Sequence, residues 1–177
     1  ERKHSFHAPI FSNIDEKNNV NSRIVVMREF NKKTNIINFH TDFRSKKILE
    51  ISYNSKTSFV YYDPKRKIQL RIKTISSIHH DDSITKKAWE KTSLSSRKCY
   101  LSRLAPSSSV DIADDGIPSE LVGIDPNINE SEKGYKNFAV IKNKIISIDW
   151  LKLSSSGHRR LLIICDKSFK KYQWLIP

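Results

Sequence analysis

Residues 22–47 read SRIVVMREFNKKTNIINFHTDFRSKK, and their reading decides the fold. Ser22 to Phe30 is rich in β-branched side chains, as a half-buried strand is. Asn35 to Thr41 alternates apolar and polar residues, and Asn31-Lys32-Lys33-Thr34 is a short polar connection, so the pair predicts a β-hairpin. From Arg44 to Asn54 the period changes: Ile48, Leu49 and Ile51 suit one face of a short helix. Strand, turn, strand and helix thus follow within about thirty residues.

Outward from this stretch the same grammar recurs. Thr57 to Tyr62 reads as strand, Asp63-Pro64-Lys65-Arg66 as a turn, and Lys67 to His79 as a long strand. On that strand Ile68, Leu70 and Ile72 face one way, with Gln69, Arg71 and Lys73 on the other face. Ser83 to Leu104 is helical around Ala88 and Trp89 and again around Tyr100 and Leu101, with a boundary at Ser93 to Ser96. Four strand-like runs close the chain: Lys136 to Ile141, Ile145 to Leu153, Arg159 to Cys165 and Lys171 to Ile176. Six to eight strands with short helices predict a mainly β, α+β chain: one domain over residues 1–177, folded as a closed or nearly closed antiparallel barrel. A sandwich of the same strands fits the pattern too.

The 177 residues, 37% of them hydrophobic, suffice for one core and not for two comfortable ones. No apolar run is long enough to span a membrane, and the first twenty residues are too polar for a secretory signal. Met27 is the only methionine, so the reading begins inside a natural sequence. Cys99 and Cys165 are far apart and match neither a disulfide framework nor a metal site, which predicts a reduced, cytoplasmic setting. Lysine and arginine number 32 against 19 acidic residues. Seven of those acids and a single lysine lie in residues 106–134, a long loop excursion rich in Ser, Asp and Asn. The rest of the chain carries 31 basic residues against 12 acidic ones, a net +19, and an anionic partner is expected.

Four glycines cannot make a Gly-rich phosphate loop, so side chains and a helix end must hold any phosphate. His79-His80-Asp81-Asp82 is a strand end running into a turn: adjacent strand residues point to opposite faces and do not share a metal. No metal site and no hydrolytic triad are expected. Thr41-Asp42-Phe43-Arg44-Ser45-Lys46-Lys47 is the local anomaly. Asp42 or Ser45 can cap the helix, yet three cations stand where the macrodipole is already positive. One reading is a phosphate seat of free backbone N–H groups, the Thr41 and Ser45 hydroxyls and two lysines. The other is a solvated charge run with Lys46 or Lys47 weakly paired to Glu50. By itself Arg71 is ordinary surface decoration and His158 a turn residue.

Taken in order, these phrases resemble the flavin-binding motifs of the pyridoxamine 5′-phosphate oxidase family. Ser22 to Arg28, Phe39 to Lys47, Ile68-Gln69-Leu70-Arg71, Ser95-Ser96-Arg97, Ile148-Asp149-Trp150-Leu151, His158-Arg159-Arg160 and Leu175-Ile176-Pro177 carry the resemblance. It implies an FMN-binding split β-barrel that forms a homodimer with flavins at the subunit interface. Arg23, Lys46 and Lys47 would hold the FMN phosphate, assisted by Thr41 and Ser45. The backbone of Arg23, Ile24, Val25 and Val26 would line the flavin, and Gln69 would bond the isoalloxazine edge. Ser95 would reach in from the partner subunit, and Arg160 would sit close to the ring. Leu151 takes the place of a tryptophan that usually stands beside the flavin, and His40 that of a common tyrosine. Arg28 and His158 match substrate contacts.

The departures are informative. Lys86-Lys87-Ala88-Trp89-Glu90-Lys91-Thr92 lacks the Arg-Pro-Arg-x-Ser type stretch that grips the substrate phosphate in the oxidases. Ser156 stands where they carry an arginine. The flavin site is kept and the vitamer site is altered, which implies an FMN-dependent oxidoreductase acting on another small molecule. Two alternatives stand beside it: a flavin-binding sensor or storage protein without turnover, and a basic barrel that binds nucleic acid through Phe59, Tyr61 and Tyr62. Phe59 and Tyr61 share one strand face and read more simply as core, so nucleic acid is not the expected partner.

Overall fold

The structure, a computed structural model, describes residues 3–166 and 169–177. Among the described residues there are nine strands: β1 (Ile10–Ile14), β2 (Val20–Ile24), β3 (Met27–Asn31), β4 (Ile36–Asp42), β5 (Lys56–Asp63), β6 (Ile68–His79), β7 (Phe138–Lys152), β8 (Arg159–Cys165) and β9 (Lys170–Leu175). Four α-helices accompany them: α1 (Lys46–Tyr53), α2 (Ser83–Glu90), α3 (Leu94–Arg97) and α4 (Ile128–Glu132). The chain divides into two compact units. The first takes residues up to Phe39, Glu50–Ser77 and Lys142 onward; the second takes His40–Leu49 and Ile78–Ile141.

The first unit is built on the sheet, in the order β2-β1-β5-β6-β7-β4-β3, with β8 on β7 and β9 on β8. The predicted β3–β4 hairpin is present, and Asn35 ends its connection in the left-handed region (φ 53°) that asparagine tolerates. The single strand predicted over Ser22 to Phe30 is two. β2 pairs with β1 and β3 with β4, at opposite edges of the sheet, with only Val25 and Val26 between them. A link that short spans at most about 10 Å, so the two edges come together although no ladder joins them. The sheet is therefore curled but not closed, the nearly closed form of the expected barrel. At this seam the Val25 and Met27 N–H groups donate to the carbonyls of Pro9 and His7 (3.0 and 2.9 Å). The runs predicted at Lys136 and Ile145 fuse into the fifteen-residue β7.

Alternation on β1, β4 and β5 sends Phe11, Phe39 and Phe59 to one core, with ring centroids 4.9–6.3 Å apart and all three essentially inaccessible. Beneath it runs a buried polar ladder. Thr57 Oγ1 lies 2.6 Å from both Thr74 Oγ1 and Ser76 Oγ, Ser76 donates to Asn143 Oδ1, and Asn143 Nδ2 donates to the Ile37 carbonyl.

The second unit gathers Trp89, Tyr100, Phe138 and Val140 into its own core. Arg97 packs its guanidinium over the Trp89 ring at 4.6 Å and pairs with Glu132, which also accepts from the indole N–H. The acidic excursion is thereby tied down: Asn127 caps α4 with a capping box, and Leu121 is buried.

Candidate functional site

The start of α1 is the most unusual polar cluster of the second unit. β4 ends at Asp42, and the chain turns through Phe43 and Arg44 into the helix. Asp42 accepts from the Arg44 backbone N–H, and its two oxygens take the Arg44 guanidinium (3.0 and 2.7 Å). One of the three cations opposing the dipole is thus neutralised within the turn. Ser45 Oγ donates to the Asp42 carbonyl.

What remains is a compact donor set. Lys47 Nζ donates to Thr41 Oγ1 and Ser45 Oγ, both at 2.9 Å, and the two hydroxyls stand 3.3 Å apart. Thr41 and Ser45 are buried, Lys47 is half-buried and Lys46 is exposed. Two hydroxyls, from the end of β4 and the turn before α1, and an ammonium from the first turn of that helix suit a phosphate. In the first unit the Glu50 carboxylate is taken by Arg23 (3.2 Å), Asn13 and Asn21. Arg23 also donates to Asn13 Oδ1 and to the Asn21 carbonyl.

Further along the first unit, β6, β7 and β8 bring a second polar group together. Arg160 donates to both oxygens of Asp149 (Nε 3.1 Å, Nη2 2.8 Å), and Arg71 donates to one of them. Arg71 is exposed and makes an ion pair with this carboxylate. The Arg160 guanidinium bonding to Asp149, with Arg71 beside it, holds that carboxyl below the usual carboxylate range. Leu151 lies opposite Arg160 in the β7–β8 ladder, and Gln69 stands two residues from Arg71 on β6. Sequence reasoning placed Asp149 within a motif but gave it no role. Its signal was present as an isolated acid on a strand otherwise rich in lysine and isoleucine.

The other expected site residues have plain placements. Val25 is buried and Ile24 and Val26 are exposed; His40 is half-buried with its ring edge on Phe138. Ser95 is exposed on α3, near the Ser93 hydroxyl. Arg28 is exposed on β3, and His158 is exposed in a turn, its Nδ1 accepting from the Ser154 N–H. His79 and His80 behave as a strand end: His79 bonds Asp82, while His80 stacks on Phe43. Phe59 and Tyr61 are core side chains and present no face for stacking bases. No described helix is long and apolar enough to cross a membrane.

Residues 1–80 match the family model described as pyridoxamine 5′-phosphate oxidase, FMN-binding domain. No curated protein sequence matches the chain. Among solved structures, a pyridoxamine 5′-phosphate oxidase-related, FMN-binding protein from Nostoc punctiforme superposes with a TM-score of 0.78 at 18% identity, covering 99% of this chain and 90% of that one. PhzG from Burkholderia lata, solved with tetrahydrophenazine-1-carboxylic acid, gives 0.74 at 16% identity over 99% and 85%. A general stress protein 26-related protein of Clostridium acetobutylicum gives 0.59 at 10% over 92% and 89%. The fold is thus the split-barrel type of these proteins, and the family match over residues 1–80 agrees with the resemblance read from the motifs of that stretch.

Proposed function

We propose that this chain binds FMN and acts as an oxidoreductase like pyridoxamine 5′-phosphate oxidase, on a small molecule other than the vitamer phosphates. The observation that supports this most is the Thr41, Ser45 and Lys47 cluster at the start of α1, from which Arg44 has been removed by its own carboxylate partner. Among the described residues the two hydroxyls bond to each other, to the Lys47 ammonium and to the Asp42 carbonyl, and this donor set fits a phosphate dianion. In this reading Lys46, Lys47, Thr41 and Ser45 hold the phosphate, and Gln69 and Leu151 orient the ring. Arg160 favours negative charge developing on it. Arg23, tied to Glu50, fixes the backbone through Val26. FMN supplies the electron-transfer chemistry when bound; the protein supplies position and field. Arg28 and His158 face the substrate, and Ser95 serves the site of the partner in a homodimer. A cytoplasmic setting belongs to the same reading, and the two free cysteines support it.

Titration of the purified protein with FMN, followed by quenching of flavin fluorescence, tests the reading. Wild type should bind stoichiometrically. The Lys46→Ala, Lys47→Ala double variant should stay folded and lose at least about a hundredfold in affinity, two charge-assisted contacts at about 1.5–3 kcal/mol each. Equal affinity in that variant overturns the phosphate assignment.

A further inference from the structure

We propose that Asp149 is a positioning residue of the flavin site: its carboxylate fixes Arg160, and with it Arg71, in the orientation that meets the isoalloxazine ring. This rests on the FMN reading above and goes beyond it, because the motif that contains Asp149 gives the acid no role and the donor set at α1 does not include it.

The geometry carries the assignment. Leu151 and Arg160 are directly opposite in the β7–β8 ladder, and Asp149 is the next residue of β7 on the same face. Arg160 therefore reaches diagonally and meets the carboxylate with two nitrogens, a fork that fixes the plane of its guanidinium. Arg71 approaches from β6 and shares Oδ2. The acid lies beneath its partners: its side chain is 17% exposed, against 27% for Arg160 and 47% for Arg71. Two guanidiniums are thus anchored from below by one carboxylate, and one positive charge is left uncompensated on the face that also holds Gln69 and Leu151. An exposed pair contributes little to folding, and surplus like charge contributes nothing favourable. Beside a ring that gains negative charge, the same surplus is favourable and needs a fixed direction.

Four variants test this: Asp149→Asn, Asp149→Glu, Arg160→Gln and the Asp149→Asn, Arg160→Gln double. Each is read by FMN affinity and by the visible spectrum of the bound flavin, with thermal melts of the flavin-free proteins as a folding check. Asp149→Asn should weaken FMN about tenfold and move the spectrum toward that of free FMN. Asp149→Glu should fall between it and wild type. Because Asp149 acts through Arg160, the double variant should be no weaker than Arg160→Gln alone. An Asp149→Asn protein with wild-type affinity and spectrum overturns the proposal, as do losses that multiply in the double variant. Should Asp149→Asn fail to fold, Asp149→Glu decides, and full wild-type behaviour there overturns it. A wild type that binds no FMN instead overturns the cofactor reading.

Discussion

Asp82 shows how single residues of this chain serve structure where they suggest chemistry. Its side chain accepts from the backbone N–H groups of Ile84 and Thr85, and Thr85 returns the bond to the Asp82 N–H. Burial pushes the Asp82 carboxyl up, but these bonds and the His79 ring outweigh it and leave its pKa lowered. A carboxylate depressed in the folded state stabilises above its unfolded pKa of about 3.9 and loses that effect as pH falls through the folded value. Asp82→Ala should therefore cost about 1 kcal/mol near neutrality, within the usual range for a lost helix cap. Urea unfolding of both proteins should show that gap closing below about pH 4; a gap independent of pH would mean the cap is not ionised. The role of the His79–Asp82 phrase was legible because strand alternation alone separates two adjacent histidines. Asp149 was not legible, since Arg71 and Arg160 are respectively 78 and 11 residues away and only register brings them together.

At the scale of elements, period and turn chemistry located most strands and helices, though not β1 or α4, and the misplaced strand breaks share one cause. A strand prediction records which residues can pair and says nothing about with whom. Ser22 to Phe30 is uniformly strand-like, yet its halves serve partners at opposite edges of the sheet. The reverse holds for β7, where polar Lys142-Asn143-Lys144 suggested a break. Asn143 is instead fully buried, and its amide joins the Ser76 hydroxyl to the Ile37 carbonyl. A buried amide satisfied at both ends is costly to remove, because each abandoned partner loses about 1–3 kcal/mol. Asn143→Ala should therefore destabilise by about 3 kcal/mol in chemical denaturation, with the denaturant slope unchanged. A loss under about 1 kcal/mol would show that water replaces the amide and that the ladder is not dry. Asn143→Asp, which keeps the acceptor toward Ser76 but not the donor toward Ile37, should be at least as damaging near neutral pH.

For the whole molecule, the question is which small molecule such a protein would process. Pyridoxamine 5′-phosphate carries a phosphate that needs charge-assisted contacts of its own, each contributing about 1.5–3 kcal/mol. The residues of this chain that could offer them are few. Arg28 is exposed on β3, and His158 is exposed in a turn with Nδ1 accepting from the Ser154 backbone. Ser156, at the position of an oxidase arginine, has its hydroxyl 2.8 Å from that of Ser154. Lys86 and Lys87 are exposed on α2, where lysines are ordinarily solvated. Two or three missing contacts weaken binding by a few powers of ten. FMN should therefore bind while turnover of pyridoxamine and pyridoxine 5′-phosphates stays weak or absent. Steady-state oxygen consumption with both vitamers measures this directly. Saturation at micromolar substrate with ordinary turnover would show that Lys86 and Lys87 supply the missing grip. Were that so, replacing them with glutamine should raise KM for the phosphorylated vitamer and leave FMN affinity unchanged, since the cofactor phosphate is held by Lys46 and Lys47 in the proposed site.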